Sequence, residues 1–338
     1  MPVPRRLSTL AAGLIAAGGL AASAQAAPGY ALTDRIAIPD GGLDYASVDA
    51  AHHRLYVSRA DGVTAIDLSG ATVTGKLFAA GRTHEPLVVS GGAELLVTDS
   101  TSNSAHLVEA TSGKAIADIA TGKKPDAAVL DPATGLAVVA NGASGDLTLI
   151  DVAQRKAVAT IPVGGALEFM APVGGGKVYV NVEDKGEIVA VDLYTRSVIG
   201  RYPMKGCEEP SGLAYADKAG VLIAACGNNA AKVINAADGA DLGTLAIGRG
   251  PDAVIYDAAR HLAFIPCGLD GVLEVIAVKG PKDVSVVGKV TTQLGARTGA
   301  LDPKTGKLYL PTAKFTLVPG SRPIPTPGSF QVLVVSPQ

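Results

Sequence analysis

Three features of the 338-residue chain predict an all-β fold. Short β-type runs recur at a near-constant spacing, and each is bounded by turn residues. Gly (41) and Pro (21) are plentiful while aromatics are 4% and Trp is absent, a balance that suits many short strands better than long helices. Hydrophobic residues make up 48%, ample for a buried core and incompatible with wholesale disorder.

The spacing fixes the architecture. Pairs that close a short strand stand at Ile66-Asp67, Val108-Glu109, Ile150-Asp151, Val191-Asp192, Ile234-Asn235 and Ile276-Ala277, with steps of 42, 42, 41, 43 and 42 residues. Val332 to Val335 forms a seventh copy after a longer gap. A second series gives the same count, running from Leu55-Tyr56-Val57-Ser58 through Leu95 to Thr98, Ala137 to Ala140, Val178 to Asn181, Leu222 to Ala225 and Ala263 to Pro266, and ending at Leu308 to Pro311. Turns such as Asp131-Pro132-Ala133-Thr134-Gly135 and Asp302-Pro303-Lys304-Thr305-Gly306 precede these runs, with Pro and Gly suited to tight reversals.

Each unit reads as strand A, turn, strand B, loop, strand C, tight turn, strand D. In blade three these are Ala127 to Leu130, Leu136 to Ala140, Leu147 to Asp151 and Ala157 to Ile161. Four antiparallel strands repeating about every 42 residues are the mark of a β-propeller blade, whereas solenoid repeats would be shorter and parallel. The prediction is a seven-bladed β-propeller of four-stranded antiparallel blades. Its ring closes where the N-terminal strand joins the C-terminal blade: Arg35 to Pro39 reads as a strand D with no A to C before it, and the C-terminus supplies A, B and C alone. Closure of this kind leaves no exposed edge.

Residues 1–26 read as a secretory signal. Arg5 and Arg6 form the basic head, Leu10 to Leu20 a short apolar stretch, and Ala24-Gln25-Ala26 the cleavage site. The apolar stretch is short of the roughly 20 residues that span a bilayer. Export is therefore expected, to the periplasm if the host has an outer membrane, leaving residues 27–338 as one propeller domain, a monomer with no membrane span. The whole chain carries net charge −2, and removal of Arg5 and Arg6 takes it to about −4, which disfavours bulk nucleic acid or anionic membrane as partners. In an oxidising compartment Cys207, Cys226 and Cys267 allow at most one intramolecular disulfide. Cys207 and Cys226 fall near one rim of blade five and are the favoured pair.

Tyr56-Val57-Ser58-Arg59 and Tyr179-Val180-Asn181, each followed by a glycine-bearing loop and a strand ending in Ile-Asp or Val-Asp, resemble the YVTN-type repeats of exported seven-bladed propellers. Gly122-Lys123-Lys124-Pro125-Asp126 and Gly248-Arg249-Gly250-Pro251-Asp252 are similar to that family's Gly-x-x-Pro entry into a blade, and Pro327-Gly328-Ser329-Phe330 before Val332 to Val335 is similar to its ending. The resemblance covers the whole mature chain. It implies the fold strongly and the function weakly, because such propellers include binding proteins, relatives of lactonases and lyases, and cytochrome-associated members.

Candidate chemistry gathers just before each strand A, where all seven blades converge on one mouth of the channel. The residues in register there are Asp44 and Tyr45, His84 and Glu85, Asp126, Glu168, Glu208 and Glu209, Asp252, then Arg297 and Thr298. The ends of the B strands add Arg59, Asp99, Asn141, Asn181 and Asn228. His84, Glu85, Asp126, Glu168, Glu209, Asp252 and Arg297 are the candidate ligand-binding residues. Carboxylates mixed with Asn amides also suit a hard divalent cation such as calcium, with Asp126, Glu168, Asn181 and Asp252 as candidate ligands. A resemblance to regucalcin-like gluconolactonases, which hold a metal at a propeller mouth, implies an alternative function as a metal-dependent lactonase-like hydrolase or lyase. Solvated acids capping strand ends would look the same in sequence.

His52, His53 and His261 fall in A-to-B turns at the other rim, and His106 near a strand C, so His84 is the one histidine expected at the acidic mouth. No G-x-S-x-G elbow, H-E-x-x-H pair or C-x-x-C-H is present, so neither a nucleophile motif nor c-type haem attachment is indicated. The glycine runs occupy turns rather than a phosphate loop. A proline-rich insertion in blade seven, 316–329, with Pro319, Pro323, Pro325 and Pro327, is far longer than its six counterparts and emerges at the acidic mouth. The leading expectation is an exported binding or interaction protein presenting an acidic rim to a small ligand, a cation or a protein partner.

Overall fold

The computed structural model describes Met1, 29–316 and 324–338. Apart from Met1, the expected leader lies outside these residues. Seven four-stranded antiparallel sheets form the seven blades. Blade three comprises Pro125–Leu130, Ala137–Asn141, Asp146–Asp151 and Lys156–Pro162, within two residues of the expected strands. Among the described residues no helix is long and apolar enough to cross a membrane.

Burial grades outward across each blade, which explains the residue choice strand by strand. Strand B of blade three, Ala-Val-Val-Ala-Asn, is buried at every position because blades on both sides cover it, so it reads as a continuous apolar run. Strand D of blade one, Thr72–Ala79, faces solvent on one side and alternates between exposed and half-buried positions. Cores form between blades: Val138, Leu147 and Leu149 of blade three pack against Leu167, Met170, Val180 and Val189 of blade four. Each such side chain, fully buried, contributes roughly 1.5–3 kcal/mol. The A-to-B turns are tied by their own side chains. Asp131 accepts hydrogen bonds from the Thr134 amide at 2.8 Å and hydroxyl at 2.7 Å, and Gly135 takes the left-handed φ of 71° that closes the turn.

The N-terminal strand closes the ring as expected, but it begins five residues earlier and ends two residues earlier than the expected Arg35 to Pro39. Tyr30–Ala37 pairs antiparallel with Gln331–Pro337 and supplies the fourth strand of blade seven. Arg59 clasps the junction, donating from Nε to Gly42 O at 2.9 Å and from its terminal nitrogens to Pro39 O and to Thr64 Oγ1 at 3.3 Å. Cys207 and Cys226 are joined, with Cα atoms 5.3 Å apart, and Cys267 is buried and free. Within the insertion, Phe315–Thr316 pairs with Ile324–Pro325. Pro319 and Pro323 lie outside the described residues.

Candidate functional site at one mouth of the channel

Strand pairing defines which residue of each blade faces the channel mouth. The first residue of strand A pairs with the last of strand B in five blades: Leu43 with Arg59, Thr83 with Asp99, Pro125 with Asn141, Leu167 with Val182 and Pro210 with Cys226; in blade six Pro251, four residues before strand A, makes the equivalent bridge to Cys267. The next residue is then Asp44, His84, Asp126, Glu168, Ser211 or Asp252. All six, together with Arg297 of blade seven, line a cup of about 490 Å³. In the first five of these blades a register shift follows at once, so strand A is bulged where it delivers this side chain.

Charges in the cup are unequal and crowded. Asp44, Asp126, Glu168, Glu183 and Asp252 face Arg82, Lys124, Arg297 and His84. His84 Nδ1 lies 2.8 Å from Asp44 Oδ2 and 3.4 Å from Asp126 Oδ1, while Nε2 meets Ser100 Oγ at 2.9 Å. Burial works against a charged His84, but the hydrogen bond to Asp44 and the charge of Asp126 outweigh it and raise its pKa. Arg297 Nε stands 3.3 Å from Asp252, and Lys124 Nζ 3.6 Å from Asp126.

The cations leave the far acids under strain. Burial first, then repulsion from Asp126, Glu183 and Asp252, pushes Glu168 up to about 8. Asp252 is raised to about 6 by burial, with Arg297 opposing and Asp44, Asp126 and Glu183 adding to it. Burial also raises Asp126, and Glu183 is raised by burial and then by Glu209. Beneath the acids the Tyr45 and Phe169 rings meet with centroids 5.1 Å apart and form the floor.

Of the candidate ligand residues, His84, Asp126, Glu168, Asp252 and Arg297 are brought together in this cup. Glu85 and Glu209 are not. Glu85 sits one residue further along strand A, is buried, and faces the channel on the other side of the floor. Glu209 is exposed on the lip with a left-handed φ of 48°, and Ser211 takes the ring position of blade five. The four candidate metal ligands also separate. Asn181 is fully buried and donates to Ser211 O at 2.9 Å and Gly212 O at 3.1 Å, so its amide fastens blade four to blade five instead of facing the cup. Among the described residues no group of three or more His, Cys, Asp or Glu is arranged to hold a metal ion.

The other B-strand ends are structural in the same way. Asp99 accepts from the Gly81 and Thr101 amides at 3.0 and 2.8 Å, and Asn141 donates to Asp146 and Thr148. Sequence reasoning missed Ser211, although a signal existed: Pro210-Ser211 matches Pro125-Asp126 and Pro251-Asp252. It also missed Arg82, Ser100, Lys124 and Glu183, which reach the cup from loops whose direction no repeat pattern records.

The fold and this cup define a seven-bladed β-propeller whose channel mouth is a polar, acid-rich recess. No family model matches the chain, and no curated protein matches it. Among solved structures, a chain of Kuenenia stuttgartiensis hydrazine synthase aligns with a TM-score of 0.70 at 17% identity, covering 87% of this chain and 96% of that one. A chain of a mitotic checkpoint complex aligns with a TM-score of 0.73 at 13% identity, covering 98% of each. At these identities the likeness establishes the propeller fold and nothing of its role.

Proposed function

We propose that the protein is an exported binding protein of the YVTN-repeat type whose acid-rich cup takes a small, hydrophilic, cationic ligand. One observation carries this reading: Asp126, Glu168, Glu183 and Asp252 repel one another in a single recess, with Glu168 held up to about 8. A cation placed among them relieves that repulsion and gains charge-assisted hydrogen bonds. Arg297 beside Asp252 and Lys124 beside Asp126 favour a ligand that also carries an acceptor. The leader-like N-terminus and the Cys207–Cys226 disulfide support an oxidising compartment.

The test is thermal unfolding of the mature protein with putrescine, with calcium and with a chelator, alongside elemental analysis. A ligand that binds only the folded state raises its melting temperature. Putrescine should do so in the parent protein and not in Glu168→Gln. Stoichiometric calcium with a chelator-sensitive melt would instead favour the lactonase-like alternative, and no shift with either cation would refute the cup as a cation site.

A further inference from the structure

The channel opens again beyond the Tyr45–Phe169 floor. A second cup of about 410 Å³ is formed by later residues of the A strands, and its walls are apolar: Leu87, Val129, Leu130, Pro172, Val254 and Ile255. Its polar groups are Glu85 and Ser47. Glu85 is only 4% exposed, yet it lines this cavity, and its Oε1 accepts the Ser47 hydroxyl at 2.8 Å. No Lys or Arg is among the described residues that line the cup. Burial first, opposed by the Ser47 hydrogen bond and reinforced by Asp44 and Asp126 just across the floor, raises the Glu85 carboxyl to about 8, so near neutrality it holds a proton that an arriving ammonium releases to solvent.

A buried carboxyl at the end of an apolar recess, with no cation beside it, is an unbalanced arrangement. A ligand can balance it by bringing the missing charge together with apolar surface. We propose that this second mouth is a binding site for a small hydrophobic amine, its ammonium on the Glu85 carboxylate and its aryl or alkyl body against Leu87, Val129, Val254 and Ile255. The Ser47 hydroxyl spends its proton on Glu85 and keeps its lone pairs, so it can accept a second ammonium N–H. The Tyr45 and Phe169 rings also line this cup and add aromatic surface for the ligand's body. A neutral alcohol fits the walls equally well but gains nothing from the negative field. This site is distinct from the acid-rich cup, which lies on the other side of the same rings and takes hydrophilic ligands.

The probe is phenethylamine, titrated calorimetrically into the intact mature protein. It should bind at one equivalent, and Glu85→Gln, which keeps the side-chain shape, should weaken it about tenfold or more, the usual effect of losing a charge-assisted hydrogen bond. Leu130→Lys places a like charge at the exposed mouth of the cup without touching the core, and should weaken binding as well. Glu168→Gln, in the other cup, should leave the affinity unchanged. The proposal is overturned if phenethylamine fails to bind the parent protein, if Glu85→Gln and Leu130→Lys both bind it as well as the parent, if Glu168→Gln abolishes binding, or if 2-phenylethanol binds equally tightly.

Discussion

The seam that closes the ring and the mouth of the channel use the same residue types to opposite ends. At the seam Arg59 and Asp40 have their partners built in. Arg59, 3% exposed, bonds Gly42, Pro39 and Thr64 and lies over the Phe330 ring, while both Asp40 carboxylate oxygens accept the Gly328 amide. Gln293 accepts from Arg35 at 3.0 Å and Gln331 at 2.8 Å and donates to Ala313. At the mouth, acids face acids and Glu168 is left protonated near neutrality. Polar residues with their partners built in hold the fold together. Those whose partners are missing mark where a ligand belongs.

Breaking the seam should cost most. Removing Tyr30–Ala37 strips blade seven of its fourth strand and exposes the edge of Gln331–Pro337, and circular dichroism should then show no cooperative unfolding transition. A melt like that of the full chain would show the seam to be dispensable. Arg59→Ala leaves the closure in place but strands the Pro39 and Gly42 carbonyls, and urea titration should show a loss of about 3 kcal/mol. Asn181→Ala repeats the experiment at an ordinary junction between blades, where the Ser211 and Gly212 carbonyls lose their donor. The expected cost is about 1–2 kcal/mol.

The mouth should respond in the opposite direction. The Glu168 carboxyl of the folded protein titrates near 8 against an ordinary 4.5, so the folded state keeps a proton that the unfolded chain gives up. Its contribution therefore declines as pH rises from 4.5 through 8, and is fully lost above that. Glu168→Gln cannot ionise, so at pH above 8 it should be more stable than the parent by about 1 kcal/mol, a figure reduced for the water that reaches an open cup. Near pH 4.5 the two should melt together. Equal stability throughout would mean that the mouth is as well compensated as the seam.

The fold was legible because a propeller repeats its physics. Each blade must bury strand B on both faces and expose strand D on one, so apolar runs such as Val138-Val139-Ala140 return every 42 residues or so. The seam was legible as an orphan strand at one end and a missing strand at the other. The mouth was legible only in part. Asp126, Glu168 and Asp252 were found because one residue per blade carries the position, but the bulge at the start of strand A defeats simple alternation. His84 and Glu85, neighbours within that bulge, line two different cups. In blade five the acids of Cys207-Glu208-Glu209 drew attention from Ser211. Asn181 showed the remaining limit: sequence puts it at a strand end, but only the packed structure shows that the adjoining blade claims its amide.

The pairing of the first and last strands has one more consequence. Tyr30 stands opposite Pro337, and the Gln338 amide donates to Gly29 O at 2.8 Å, so both strands leave the seam at the same edge. A force pulling residues 29 and 338 apart would meet these hydrogen bonds one after another, as in a zipper, instead of loading them all together in shear. The closure that removes the propeller's exposed edges is thus also the place where tension on the two ends would open it first.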